Sequence, residues 1–170
     1  MNSNNRELYN AYDKNWQRVY FDETSQGFVV AHIEHGKDEL AQNIEVAIRL
    51  VKRFGDCIEL LPISYRKHDK SADAIRNGEL WEWKTSSGSY SSVQKRLRVG
   101  SHQCGRVMLI LPEFFEISYV LRGIISAVNS DRDQGLLQVA VFLPNSKLII
   151  LTREMIRKRD FDEFFKDLEG

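Results

Sequence analysis

The stretch SADAIRNGELWEWKT, residues 71–85, combines a turn signal with a strongly alternating strand. Its Asn-Gly dipeptide is the one that two-residue β-hairpin turns favour, because both positions tolerate positive φ angles. After the turn, side chains two residues apart point to the same face of a strand. Trp81 and Trp83 therefore take one face of the predicted strand, and Glu82 and Lys84 take the other. The tryptophans are expected in the core, which leaves a charged pair on the second face.

The acidic and basic residues of this stretch indicate a metal-dependent reaction. The turn is expected to fold the chain back and bring Asp73 beside Glu82. Two carboxylates so close repel each other unless a cation relieves them, and Mg²⁺ favours a few carboxylates with water and phosphate oxygens. We predict that Asp73, Glu82 and the backbone carbonyl of Trp83 bind Mg²⁺ or Mn²⁺. Lys84 would then orient a water molecule or stabilise charge on a phosphate, as phosphodiester hydrolysis requires. The alternative for Glu82 and Lys84 is a surface ion pair.

The hydrophobic periodicity of the residues before and after this stretch predicts an α/β (α+β) fold with a mixed central sheet flanked by helices. The predicted order is β-α-β-β-α-β-α-β-β-α. Strands are predicted at 27–35, 57–62, 79–85, 106–112, 136–144 and 147–152, and helices at 38–55, 93–105, 113–130 and 153–170. The run RVMLILP is expected to be a central strand covered on both faces. Residues 1–26 are predicted to be an N-terminal arm or short helix, and 27–170 a single domain.

Charge is informative only locally, because the chain carries 24 basic and 24 acidic residues. No acidic residue lies between Lys84 and Pro112, and the amphipathic helix predicted in that interval carries Lys95, Arg96 and Arg98. We expect these three residues to contact nucleic-acid backbone, together with Ser92 at the N-terminus of the same helix. The alternative is a solvated helix face.

Cysteine content and hydropathy argue against a disulfide-linked protein, a zinc-binding protein and a membrane protein. The two cysteines are far apart in the sequence and are expected to be reduced, and the four histidines lack zinc-ligand spacing. No apolar run approaches the roughly 20 residues of a membrane helix, and the N-terminus lacks a signal-peptide core. We expect no membrane partner and a cytoplasmic location, or delivery into the cytoplasm of a target cell.

The spacing D-x8-E-x-K, after a helix with a glutamate and before a basic helix, resembles the PD-(D/E)XK nuclease superfamily. Ser-Ala-Asp stands where that family often has Pro-Asp. The segments HGKDELAQNIEVA, CIELLP, SSVQKRLRVGSHQ and RVMLILP resemble nuclease domains at the C-termini of contact-dependent inhibition toxins and of related phage and mobile-element proteins. The similarity runs over about residues 27–112. It implies a restriction-endonuclease-like core, a metal-dependent endonuclease that cuts tRNA or DNA, and a cognate immunity protein.

The same resemblance implies two further site residues. A glutamate on the first helix fits Glu39 best, with Glu45 as the competitor, and a polar residue on the second helix fits Gln103, which would bind phosphate or position the water. Two other functions stay open from sequence: a catalytically inactive nucleic-acid-binding or interaction domain on the same fold, and a structural phage protein.

Overall fold

The computed structural model describes residues 3–63 and 72–161, and within them it contains eight strands and five helices. The predicted α/β class with a mixed sheet is therefore confirmed. The chain divides into two compact units, with the division between Trp81 and Glu82, inside one strand. The elements of the first unit are α1 (Ser3–Ala11), β1 (Trp16–Phe21), β2 (Phe28–His32), α2 (Lys37–Phe54), β3 (Cys57–Leu60), β4 (Ala74–Arg76) and the start of β5 (Glu79–Thr85).

The sheet of the first unit is built around the apolar strand β2. This strand pairs antiparallel with β1 and parallel with β3, and the residues FVVA at 28–31 are all buried. Parallel neighbours need a crossover, and α2 supplies it. The helix ends where Gly55 adopts a left-handed conformation at φ 72°, at the end of the helix predicted over 38–55. Sequence periodicity therefore placed this β-α-β unit correctly.

The Asn-Gly turn connects β4 to β5, which pair antiparallel with each other, and β4 also pairs antiparallel with β3. Asn77 and Gly78 have φ angles of 51° and 84°, as a two-residue hairpin turn requires. The turn is tied to the start of β3 through Asp56, which is 3% exposed. Its carboxylate accepts from Arg76 Nε at 2.6 Å and from Asn77 Nδ2 at 2.7 Å. Asn77 Oδ1 in turn accepts from the backbone N–H of Cys57 at 2.8 Å.

Two strands of the first unit were not predicted. β1 lies inside the segment predicted as an arm or short helix, and β4 lies between the strands predicted at 57–62 and 79–85, where no strand was predicted. β1 is paired by β2 alone among the described strands and keeps exposed polar residues, so its sequence lacks the alternation of a half-buried strand. β4 has only three residues, which is too short for a periodic signal.

The second unit contains the end of β5 and three further strands. Its elements are α3 (Tyr90–Ser101), β6 (Arg106–Ile110), α4 (Ile117–Ser130), β7 (Gln138–Phe142), β8 (Leu148–Thr152) and α5 (Arg153–Lys158). Strands β5, β6 and β7 are parallel, and β8 is antiparallel to β7. β6 lies between two neighbours and its last four residues are buried, which confirms the prediction for RVMLILP.

The helices of the second unit connect the parallel strands and pack on each other. Val93 and Leu97 of α3 join Val120 and Ile124 of α4 in the core. The two helices approach closely at Gly123, where an added Cβ would lie 2.7 Å from Val93 Cβ. Such contact leaves no room for a larger residue at this position.

Three predicted helices differ from the observed ones in their bounds. α3 ends at Ser101, so Gln103 and Cys104 lie beyond it, and α4 begins at Ile117 instead of residue 113. Gly100 in the last turn of α3 and Gly105, four residues beyond its end, both disfavour continuation of the helix. α5 covers only the beginning of the predicted C-terminal helix, and 162–170 lie outside the described residues. Among the helices of the described ranges, none has the length and apolar character to span a membrane.

Candidate functional site

Strand β5 presents its two faces as the alternation predicts. Trp81 and Trp83 are 2% and 4% exposed, which confirms that both indoles belong to the core and are not free to stack on bases. Glu82 and Lys84 alternate with them, and Glu82 has no exposed surface. A carboxylate buried this completely is costly unless charged and polar groups surround it. The environment of Glu82 therefore decides what this strand can do.

Glu82, Lys84 and Gln103 form one group, here called the Glu82 cluster. Lys84 Nζ makes an ion pair with Glu82 Oε1, and its side chain is 16% exposed. The hydrogen-bond network orients the Gln103 amide with its nitrogen toward the carboxylate, so that it donates to both oxygens, with 3.0 Å to Oε2. The structure thus brings three of the predicted residues together. Their arrangement satisfies a buried charge and keeps an ammonium beside it.

Gln103 reaches the carboxylate from a turn and not, as predicted, from helix α3. The backbone N–H groups of Gln103 and Cys104 both donate to the carbonyl of Gly100 at 2.9 Å. This turn follows the C-cap of the helix at His102. Gln103 therefore belongs to the Glu82 cluster as predicted, but the turn after α3, and not a position on the helix, brings it there.

Gly100 is a further residue of the site and was not predicted from the sequence. A Cβ at this position would lie 2.9 Å from Val107 Cγ1 and 3.4 Å from Glu82 Cγ. The missing side chain therefore lets the last turn of α3 lie directly over Glu82. An isolated glycine inside a helical pattern was the available signal, because such a residue commonly marks close packing.

Replacing Gly100 with alanine is expected to lower the free energy of unfolding by about 1–3 kcal/mol, because the added methyl group overpacks a tight contact. Helix propensity alone would make the alanine variant more stable, so the expected loss of stability is opposite to the effect of propensity. Urea unfolding measures the change. Val99→Ala, at a neighbouring position that is 41% exposed, is the control and should shift stability far less. A more stable Gly100→Ala protein would contradict the close contact.

Asp73 lies directly before β4, in the first unit. Its backbone N–H donates to the carbonyl of Trp81 at 3.1 Å, and its own carbonyl accepts from the N–H of Leu61 at 2.9 Å. The hairpin thus fixes the main chain of Asp73 opposite Trp81, the residue that precedes Glu82 in the chain. The side chain is half-buried. The fold-back that the Asn-Gly turn predicts is confirmed for the backbone.

Glu39 lies in the first turn of α2 and lines a cavity of about 800 Å³ within the first unit. His35, on the wall of the same cavity, is 4% exposed. Its Nδ1 lies 2.5 Å from the carbonyl of Leu61 and its Nε2 lies 3.0 Å from Asn43 Nδ2, so the ring is held in place on both sides. Glu45, the competing carboxylate, is exposed further along α2. Glu39 is exposed as well, so burial does not separate the two carboxylates, and Glu39 is the one that lines this cavity.

The predicted phosphate contacts lie on α3. Lys95, Arg96 and Arg98 are all exposed, which leaves their cationic groups accessible. Ser92 has a structural use, because its Oγ accepts from Ser86 Oγ and from the backbone N–H of Ser87, both at 3.1 Å. Ser89 caps the helix by accepting from the N–H of Ser92 at 3.4 Å. The serines before α3 therefore build a loop and a helix cap.

The donor chemistry suits a hard divalent cation held by few protein ligands. Within 3–63 and 72–161 no three His, Cys, Asp or Glu side chains form a group that could hold a metal ion. Mg²⁺ is commonly bound through one or two carboxylates, with water and substrate phosphate completing its shell. The buried Glu82 carboxylate is an oxygen ligand of this type. A carboxylate oxygen is a ligand that Mg²⁺ and Mn²⁺ accept, and in this structure both oxygens of Glu82 have partners in Lys84 and Gln103.

Comparison with known proteins supports the fold. No protein-family model matches the sequence, and no curated protein matches it. Among solved structures, the chain is similar to a chain of the CdiA-CT/CdiI toxin and immunity complex from Burkholderia pseudomallei, with 18% sequence identity and a TM-score of 0.50. The match covers 68% of this chain and 85% of the other. The two chains share a fold of the type found in this toxin system, at an identity too low to transfer an activity.

Proposed function

We propose that the chain is a metal-dependent nuclease of the PD-(D/E)XK type that hydrolyses phosphodiester bonds of tRNA or DNA. The observation that carries the proposal is the Glu82 cluster: a fully buried carboxylate, a lysine two residues later and a glutamine from the following turn. A purely structural strand gains little from this arrangement, because replacing a buried ion pair with apolar side chains is often neutral or stabilising.

Asp73, Glu82 and the carbonyl of Trp83 are the proposed ligands of Mg²⁺ or Mn²⁺. A divalent cation held there supplies Lewis-acid polarisation of the scissile phosphate when bound. The chain holds Asp73 by backbone hydrogen bonds on both sides and holds Glu82 under α3. Such fixed positions reduce the reorganisation that a charged transition state would otherwise require.

Lys84 and Gln103 are proposed to act on the reacting groups. Lys84 carries a positive charge beside the carboxylate, where it orients the attacking water or stabilises charge on the phosphate. Gln103 donates from the other side and, in the substrate complex, binds a phosphate oxygen or positions the water. Glu39 is proposed to complete the acidic set.

The exposed cations of α3 are the proposed contacts for the nucleic-acid backbone. Lys95, Arg96 and Arg98 lie on the helix whose last turn covers Glu82. Contacts of this kind provide affinity without sequence information and weaken as salt concentration rises. Ser92 supports them by fixing the loop before the helix.

A toxin role is proposed from the shared fold. The solved complex contains a toxin and its immunity protein, and the segments quoted above resemble toxin nuclease domains. On this proposal the domain acts in the cytoplasm of a target cell, and a cognate immunity protein covers its site in the producing cell.

Incubation of the purified chain with total tRNA and with plasmid DNA tests the proposal. We expect cleavage of one of the two substrates in Mg²⁺ or Mn²⁺ and none in EDTA, because the buried carboxylate needs the cation to act on a phosphate. Restoring excess metal to the EDTA sample should restore cleavage. Metal-independent cutting would contradict the mechanism.

A non-catalytic nucleic-acid-binding or interaction domain is the second candidate. This second candidate is favoured by the environment of Glu82. The carboxylate is completely buried, and both of its oxygens already have partners in Lys84 and Gln103. Thermal unfolding separates the two. A metal site raises the unfolding temperature as Mg²⁺ or Mn²⁺ is added, by the linkage of binding to folding, and Asp73→Ala should remove that rise. A binding domain without the site shows no rise.

A further inference from the structure

A second cavity, of about 210 Å³, lies in the second unit where the C-terminal ends of α3 and α4 meet the segment 131–136. It is here called the α3–α4 pocket. Its buried wall contains Ala127 and Leu136, which are 4% and 1% exposed. Drug-sized ligands occupy cavities of roughly 300–1,000 Å³, so this pocket has room for one flat ring or one small ion.

The rim of the α3–α4 pocket carries charges of both signs. Arg98, His102 and Arg132 line it, and so do Asp131 and Asp133. Both helices also end there, and a helix C-terminus carries a partial negative charge. The pocket is therefore amphoteric, with cationic planar groups, carboxylates and an apolar wall in one small volume.

Asp131 is held ionised by its partners within the fold. Burial by itself would raise the pKa of Asp131, but the backbone N–H of Leu136 and the guanidinium of Arg153 lower it, and the net pKa is below its ordinary value. Arg153 Nη1 donates to Asp131 Oδ2 at 2.6 Å and to the carbonyl of Leu136 at 3.0 Å. Asp131 is thus fixed in place and stays ionised near neutral pH, with its charge paired to that of Arg153.

These features favour a nucleobase over a phosphate as the occupant. A phosphate would meet Arg98 and Arg132, but also two carboxylates and two helix C-termini, so attraction and repulsion oppose each other. A base is neutral and has hydrogen-bond donors and acceptors around its edge, which suit carboxylate and guanidinium groups together. Its flat faces suit an apolar wall and the planes of arginine and histidine side chains, on which unstacked bases of RNA commonly lie.

We propose that the α3–α4 pocket receives one unstacked base of the nucleic-acid substrate; this inference rests on the proposed function. His102 lines the pocket and Gln103, the next residue, donates to Glu82. Their Cα atoms are only about 3.8 Å apart, so the pocket and the Glu82 cluster lie on two sides of one turn. A base held in the pocket places a neighbouring phosphate toward Glu82 and makes cleavage depend on the base.

Nucleoside binding tests the pocket without any need for cleavage. The full chain, labelled with ¹⁵N, is titrated with guanosine, adenosine, cytidine and uridine, and separately with inorganic phosphate. We expect at least one nucleoside to shift the amide signals of 98–102 and 127–133, and phosphate to leave them unchanged. Ser130→Phe fills the pocket from an exposed position and should abolish the shifts, whereas Asn129→Phe, at the neighbouring exposed position outside the pocket, should retain them.

An abasic scan tests the same pocket in the reaction. Single-stranded oligonucleotides of the type that is cut carry one abasic site at successive positions, and at one position kcat/KM should fall about tenfold, as expected for the loss of one stacked base. Ser130→Phe should be about tenfold slower on intact substrate and insensitive to that position. Asn129→Phe should behave like wild type.

The outcomes separate the two proposals. Nucleoside shifts in a chain that cuts nothing would support the pocket and overturn the nuclease. Cleavage with no nucleoside shift and no sensitive abasic position would support the nuclease and overturn the pocket. Shifts caused by inorganic phosphate and by no nucleoside would also overturn it, as would identical behaviour of Ser130→Phe and wild type.

Discussion

Glu82→Gln is expected to reduce cleavage by about 10²–10³-fold, which is the loss found when a group that stabilises transition-state charge is removed. Glutamine keeps the size and the hydrogen-bonding oxygen of the side chain but removes the negative charge. On the proposed mechanism that charge binds the cation, so substrate binding through the basic residues of α3 should persist while the rate falls. The measurement is single-turnover cleavage of the substrate identified in the tRNA and DNA assay.

The same substitution also affects folding, and the two effects must be separated. Lys84 is 16% exposed and would lose its anionic partner, which is expected to cost up to about 3 kcal/mol of unfolding free energy. Glu82→Gln combined with Lys84→Met removes both charges and should recover part of that stability. Because neither variant can bind the cation, both should remain inactive. A double variant that is stable and inactive would show that activity, and not merely folding, depends on the Glu82 cluster.

Glu79→Gln supplies the matched control, because Glu79 is an exposed glutamate on the same strand. It should keep wild-type cleavage and nearly wild-type stability. Full cleavage by a folded Glu82→Gln protein would contradict the mechanism and favour the interaction-domain alternative. Equal losses in Glu79→Gln and Glu82→Gln would show that the strand as a whole, and not the buried carboxylate, was responsible.

Much of the fold could be predicted because several of its elements are determined by residues that are close together in the sequence. The alternation in β5 and the Asn-Gly turn depend on side chains and φ angles within a few residues, and both are confirmed. β1 and β4 were missed because their pairing comes from distant neighbours: β1 forms by adding to β2, and β4 is fixed by β3 and β5. Tertiary pairing of this kind leaves little periodic signal in a short segment.

The same difference between local and tertiary signals applies to the candidate site. Glu82 and Lys84 could be placed on one face from strand geometry alone, and the structure joins them in an ion pair. Gln103 was chosen by resemblance, but its actual route to Glu82, through a turn after α3, was not predicted. Gly100 and the α3–α4 pocket depend on packing between elements distant in sequence, and no pattern within a single helix or strand records such packing.

Asp56→Ala is expected to lower the free energy of unfolding of the first unit by about 3–5 kcal/mol, as is typical when one partner of a buried ion pair is removed. Asp56 and Arg76 are 4% and 14% exposed at their side chains and meet at 2.6 Å. The alanine variant leaves the guanidinium without this carboxylate and also removes the acceptor of Asn77 Nδ2. The turn between β4 and β5 thereby loses two of its attachments to the start of β3 and keeps the hydrogen bonds between Asn77 and Cys57.

Hydrogen exchange read by mass spectrometry locates this loss as well as measuring it. In Asp56→Ala, amides of 57–60 and 74–81 should exchange much faster, while those of β6 and β7 in the second unit change less. Asp38→Ala is the control, because that aspartate is exposed in the first turn of α2 and its interaction with the helix dipole contributes only about 0.3–1 kcal/mol. Because the hairpin also fixes the backbone of Asp73, a folded Asp56→Ala protein should lose cleavage at temperatures well below its unfolding midpoint. Unchanged exchange at 74–81 would mean that the turn holds its geometry without Asp56, and the Asn-Gly dipeptide alone would then account for the hairpin.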